Sequence, residues 1–414
     1  MNFFLLAFAL FYLAEHVLDF WLTRLNLRHI QKHEHEVPAY FRESISLADY
    51  QKSIAYTREK TRLKVLADWV EVPVFWGLLL GGFYLRLDHF ARSLRLGSVG
   101  TGLVFFALIS VVFYLVSLPF NLYSTFVVEQ KYGFNKMTWK LWVQDLGKGM
   151  LLSVVIGTPV LAGILWFMDR YLQGFWWLYV WVLLALVQLF ITSIFPVFVV
   201  PLFNKLTPLP EGDMKQRILA LANEVRFSVS GIYTMDGSKR STHSNAFFAG
   251  LGKFRRIVLF DTLVQSLRES ELLAVLAHEM GHSVKKHIRT GLIVGLGSSL
   301  AGLYVLSLLV NHAWFHSAFG FDQPSSYAAL FIFLRTSGSF TFFVTPLTSM
   351  LSRKHEYEAD RFAAEILGGP ESMVGGLVKL TKDNLSNLTP HPLYSFFYYS
   401  HPTTTERIQA LERT

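Results

Sequence analysis

Apolar runs close to the thickness of a bilayer alternate with short polar stretches along the chain, and two longer polar stretches interrupt the pattern. A helix of about 20 apolar residues spans the hydrocarbon core. Seven segments approach that length: Asn2–Leu22, Val70–Leu85, Val99–Val127, Met150–Met168, Phe175–Val200, Gly291–Val310 and Tyr327–Leu351. The second is short, and the last carries Arg335. The longer polar stretches are Pro201–His287 and Ser352–Thr414. Within the first, "EGDMKQRILALANEVRF" repeats apolar residues at helical spacing. "VSGIYTMD" and "RRIVLFDTL" read as short strands around the turn-rich "GSKRSTHSNAFFAGLGK". "SLRESELLAVLAHEMGHSVKKH" is a second helix, with Ser266 expected as N-cap and Glu269 three residues later. It runs into the sixth apolar segment as if both were one helix. The pattern predicts a mainly α protein with a seven-helix membrane bundle. Residues 1–200 would hold five of those helices. Residues 201–414 would form a small α+β domain interrupted by two spans, at about 291–310 and 327–351.

Composition supports a membrane protein. The 414 residues are 52% hydrophobic and only 16% charged, against about 25% charged in soluble domains. The net charge of +8 raises the question of nucleic acid, but its placement answers otherwise. Thr23–Leu66 holds nine Lys/Arg, and Lys131, Lys136, Lys140 and Lys148 follow the third segment, while Asn311–Ser326 holds none. Basic loops stay cytoplasmic, so the N-terminus is expected outside and both polar stretches inside, where they can fold together. Arg86, Arg92 and Arg95 depart from this rule. The first apolar run lacks a preceding basic residue and a small-residue cleavage site, and holds Glu15, His16 and Asp19, so it reads as a retained helix. Glu15, His16, Asp19, Asn121 and Arg335 place polar groups inside spans, where they face a cavity or a partner. "FWWLYVW" has the character of an interfacial aromatic belt. With no cysteine, disulfides and thiolate ligands are excluded, and any metal is held by nitrogen and oxygen.

His278 and His282 stand at i and i+4 on one helix face, with Glu279 between them. Two neutral imidazoles so placed bind Zn²⁺, and the glutamate is positioned to take a proton from a bound water. A catalytic zinc keeps three protein ligands and an open position, so a third ligand is required. Ile288 stands where a metzincin would have its third histidine, and His287 is one residue off. "SRKHEYEADRFAAE" supplies carboxylates on the same side of the membrane. Glu356 and Asp360 share a helix face and Glu358 points elsewhere, but spacing alone does not choose between Glu356 and Glu358.

Five segments, "HEMGH", "SRKHEYEADRFA", "SNAFFAG", "EQKYGFNKMT" and "YSHPTTTERIQAL", occur in the order seen in the CAAX prenyl protease type I family, which the chain resembles over its whole length. A shorter bacterial heat-shock membrane zinc protease shares only the HExxH and EYxAD segments. The resemblance implies one zinc per chain, held by His278, His282 and Glu356. It implies Glu279 as general base and Asp360 as partner of a ligand histidine. Asn245 and the backbone of Ala246, Phe247 and Phe248 would hold a peptide by strand addition. His401 would stabilise the oxyanion, and Arg407 would brace the site. It further implies that the bundle encloses a chamber capped by the zinc domain. Where the family has a second proline after His-Pro, this chain has Thr403.

The function implied is a metalloendopeptidase cutting near the C-terminus of prenylated CaaX-type or similar hydrophobic peptides, in a bacterial cytoplasmic or endoplasmic reticulum membrane. The expected partners are a peptide or protein, lipidated ones included, and the bilayer. Nucleic acid is not expected, and the chain is expected to act as a monomer. Quality-control proteolysis of membrane proteins uses the same site and is the nearest alternative. A metal transporter would place ligands near the bilayer midplane, so a transporter or a scaffold is the remote one.

Overall fold

The computed structural model describes residues 2–249 and 255–413. The N-terminal half is built from α1 (Phe3–Lys32), α2 (Leu47–Leu80), α3 (Gly97–Tyr132), α4 (Trp139–Arg170) and α5 (Trp176–Phe198). After them come α6 (Asp213–Glu224), α7 (Glu269–Val284), α8 (His287–Leu309), α9 (Ser326–Phe342), α10 (Thr345–Leu367), α11 (Glu371–Asp383) and α12 (Thr404–Leu411). Among the described residues α1, α3, α4, α5 and α8 are long and apolar enough to cross a membrane. The pair α9 and α10, bent by 64° at the break between them, passes that test only when taken together, which gives five to six spanning helices. Pro346 lies in the first turn of α10, where its missing N–H costs no helical hydrogen bond, and so suits a new helix start after the break.

The segment Val70–Leu85, expected as a span, falls on the last turns of α2 and the start of a short helix, Phe83–Ser93. Gly82, with φ +66°, breaks the chain between them, and Asp68 and Glu71 interrupt the apolar run before it. The spans leave Leu151, Val154, Val182, Leu186 and Ile293 exposed, as lipid-facing rows require when all backbone groups are satisfied within helices. Their inward sides meet in an aromatic core that includes Phe8, Phe75, Tyr84, Phe105 and Phe331. Two of the polar residues within the spans, Asp19 and Arg335, are paired. Asp19 takes Lys64 Nζ at 2.9 Å and the Tyr398 hydroxyl at 2.5 Å, and Arg335 reaches Glu71 at 3.3 Å across the ring of Phe75.

Four strands form the sheet of the polar region: β1 (Leu206–Pro208), β2 (Gly231–Met235), β3 (Ala246–Ala249) and β4 (Arg256–Phe260). Their order is β1-β2-β4-β3, with β2 and β4 parallel and the other pairs antiparallel. β3 is therefore an edge strand. The sheet and α6, α7 and α11 bury a common core that includes Ile218, Ile257, Leu259, Leu272 and Leu377.

Two sequence expectations about α7 change. Ser266 ends a short helix, Asp261–Ser266, and the N-cap is Arg268, whose backbone N–H donates to Glu271 at 2.9 Å. Glu271, not Glu269, closes the capping box. The run from Leu273 to Leu303 is also two helices. Lys286, in the left-handed region at φ 64°, breaks it between α7 and α8. The metal-ligand pattern and the membrane span therefore have independent axes.

Candidate metal centre

α7 and α10 cross at Gly281. A Cβ there would meet Phe362 Cδ1 at 3.0 Å and the Ala359 Cα at 3.2 Å, so the glycine of "HEMGH" permits the close approach. That approach brings Glu356 of α10 to the two histidines of α7. His278 Nε2 and His282 Nε2 lie 3.2 Å apart, and Glu356 oxygens lie 3.5 and 3.3 Å from them. Zinc holds nitrogen and oxygen ligands at about 2.0–2.1 Å, which in a tetrahedron separates neighbouring ligand atoms by about 3.3 Å. The three groups present that spacing, and the buried Glu356 Oε2 has no hydrogen-bond partner. The residues fit a zinc ion. Of the candidate carboxylates Glu356 is the one brought to the histidines.

Each imidazole is held from behind. His278 Nδ1 lies 2.8 Å from Asp360 Oδ1, and Arg407 Nε of α12 donates to Asp360 Oδ2 at 2.7 Å. His278, Asp360 and Arg407 are all buried or nearly so. Burial pushes the His278 imidazole down, and the carboxylates of Asp360 and Glu356 more than offset it, so its net shift is upward. His282 has a different support. Its Nδ1 lies 3.0 Å from His287 Nδ1, whose other nitrogen reaches Glu358 Oε2 at 2.9 Å. The His287 ring also stacks on His355 with centroids 4.0 Å apart. Sequence reasoning set His287 aside as off the metal face, left Glu358 as an alternative to Glu356 for the third ligand, and gave no role to His355. The signal that could have placed them is a histidine just past the α7 break, His287, available to two polar residues of "SRKHEYEAD", His355 and Glu358.

Glu279, beside the histidines, lines the same cavity of about 290 Å³, and its burial pushes the carboxyl above the ordinary range. Ser244, Asn245, Ala246, His401 and Arg407 line it too. His401 is largely exposed but turns Nε2 to within 3.4 Å of Glu356. Asn245 precedes β3, and its side chain accepts from the Ala246 N–H at 2.8 Å. Ala246 is buried, while Phe247 and Phe248 are half-buried on the edge strand, Phe248 against Phe227 at 4.8 Å. Thr403 is the N-cap of α12, with its N–H donating to Glu406 at 2.8 Å. A proline in its place has no N–H for that bond, so the departure substitutes a capping box for a rigid ring.

Known proteins resemble this chain from end to end. Residues 26–205 match the family described as CAAX prenyl protease N-terminal, five membrane helices, and residues 208–414 match peptidase family M48. The chain is 36% identical to CAAX prenyl protease 1 of Saccharomyces cerevisiae, over 94% of its own length and 91% of the relative's. It is 35% identical to the CAAX prenyl protease 1 homolog of Arabidopsis thaliana, covering 89% of this chain and 88% of that one. The crystal structure of S. mikatae Ste24p superposes with a TM-score of 0.92 over 99% of both chains, at 33% identity. An intact metal-binding constellation, a mainly helical membrane fold and matches that run from end to end converge: the chain belongs to peptidase family M48, as an integral-membrane metalloendopeptidase of the CAAX prenyl protease type.

Proposed function

We propose that the protein is a zinc endopeptidase acting near the C-terminus of prenylated CaaX-type peptides, the substrate class named by its relatives. The observation that carries this reading is the 3.2–3.5 Å spacing of the His278, His282 and Glu356 donor atoms. Zinc held there supplies Lewis acidity to a substrate carbonyl and to water. Glu279, kept basic enough by burial to accept a proton, takes it from the attacking water and returns it to the leaving amine. His401 donates to the oxygen of the scissile carbonyl as charge develops there, and Arg407 fixes Asp360 and hence the His278 ring. The free edge of β3, from Asn245 to Phe248, holds the peptide backbone by added-strand hydrogen bonds. The last turns of α2 complete a seventh span, and the basic segment 23–66 keeps the zinc domain on the cytoplasmic side.

The test is zinc content and cleavage of a prenylated CaaX peptide by purified protein, beside Glu279→Ala. Cleavage after the modified cysteine by wild type, with an inactive variant that retains zinc, supports the reading. Zinc binding without cleavage of that peptide, but with cleavage of an unmodified membrane protein, moves the function to quality control. Absence of zinc binding overturns it.

A further inference from the structure

A second cavity, of about 590 Å³, adjoins the zinc cavity, and His401 lines both. The two are also joined along the strand leader. His243 lines the second cavity, while the next three residues, Ser244, Asn245 and Ala246, line the first. A peptide laid along the free edge of β3 with its scissile bond at the metal centre therefore continues past His243 into this second space.

The lining of that space has one sign. Among the described residues that line it, Lys60 is the only one with a permanent charge, and none is Asp or Glu. The Lys60 ammonium is half-exposed, bonds the Tyr56 hydroxyl at 3.2 Å and lies 3.7 Å from Glu129, which stands behind the wall. An ammonium has three protons, so one direction stays free for a ligand. Glu129 also carries the Tyr56 hydroxyl at 2.8 Å and faces His243 at 3.4 Å, and Phe134 stacks on the His243 ring at 4.0 Å. The otherwise unassigned segment "EQKYGFNKMT" thus builds the back of this wall. The other charges along the same face of α2 offer no rival. Lys64 is engaged by Asp19 and Asp68 at 2.9 and 3.1 Å, and Asp68 and Glu71 deeper along α2 repel an anion.

Cleavage of a CaaX peptide after its modified cysteine leaves three residues on the leaving side, about 10 Å when extended, ending in a carboxylate. Resting on the protease reading above, we propose that the second cavity receives that C-terminal carboxylate, with Lys60 as its counter-charge. The substrate then runs antiparallel to β3, with its C-terminus toward His243.

The experiment uses the full-length protein and one prenylated peptide made in two forms, with a free C-terminal carboxylate and with a C-terminal amide. Wild type is expected to favour the acid by about tenfold in kcat/KM, mostly through KM, as one charged hydrogen bond supplies. Lys60→Gln should raise KM for the acid and bring the acid-to-amide ratio close to one, and Lys60→Arg should restore the preference. Equal use of both peptides by wild type overturns the proposal. So does an equal loss on both peptides in Lys60→Gln, which would mean that Lys60 serves only to hold Glu129. No cleavage of either form by a zinc-loaded protein would instead overturn the protease reading, and the carboxylate site with it.

Discussion

The two histidines of α7 present the same nitrogen to the same point, but the molecule supports them in opposite ways. Behind His278 is a buried ion pair, Asp360 and Arg407, drawn from α10 and α12. Behind His282 is a second imidazole, His287, steadied by a ring stack and by Glu358 near the surface. The inner support is charged, dry and tied to the C-terminal helix. The outer one is closer to neutral and to solvent. A ligand's chemistry can be repeated at i and i+4, but its surroundings cannot, because one face of the helix enters the core as the other leaves it.

Removing the general base probes the chemistry while leaving both supports alone. Glu279→Gln should cost about 10²–10⁴-fold in kcat, with zinc content by elemental analysis unchanged. A fall in zinc content would place Glu279 among the supports. Next comes the inner side. Asp360→Ala strands the buried Arg407 and frees the His278 ring. Zinc affinity should fall about 10–100-fold in chelator competition, and thermal unfolding should show a loss of about 3–5 kcal/mol. On the outer side, His287→Phe keeps a ring to stack on His355 but removes the nitrogen facing His282. Its effect on zinc affinity should stay below about tenfold, with little change in stability. An equal loss from both variants would erase the contrast. Glu358 is more than a third exposed, so Glu358→Gln is expected to change affinity by no more than about twofold.

Acidity should sharpen the same comparison. Zinc binds the neutral imidazole, so protons compete for it. The carboxylates around His278 raise its proton affinity, so the metal-free site takes a proton there at higher pH than an ordinary histidine, and zinc retention should fall as pH drops through that range. Asp360→Asn removes that negative charge and should lower the pH at which the metal-free His278 takes up its proton, read by NMR titration of the ring.

Much of this was legible in the sequence because it depends on short spacing. The i, i+4 histidines, the helix of residues 213–224 and the strands around Ile232 and Val258 follow from local periodicity. What required the structure is contact between distant segments. Spacing could not rank Glu356 against Glu358, because the choice is made where Gly281 lets α10 approach α7. Nor could it show that Lys286 turns the chain, since that residue adopts a left-handed conformation with no glycine to announce it. Nor did periodicity show that α2 runs unbroken from Leu47 to Leu80, because Lys64, Asp68 and Glu71 interrupt the apolar pattern, and Lys64 and Glu71 find their partners, Asp19 and Arg335, on distant helices.

The interruption of the zinc domain by α8 and α9 has a consequence for how the protein comes into being. His278 and His282 are synthesised before that membrane hairpin, Glu356 after it, and His401 and Arg407 almost last. The ion pair that fixes the inner histidine therefore closes only after α12 has been made and has packed against α10. Until insertion of the hairpin is complete, the nascent chain holds two loose imidazoles and no finished centre. Order of synthesis thus leaves the metal centre without its third ligand until the segment carrying Glu356 is made.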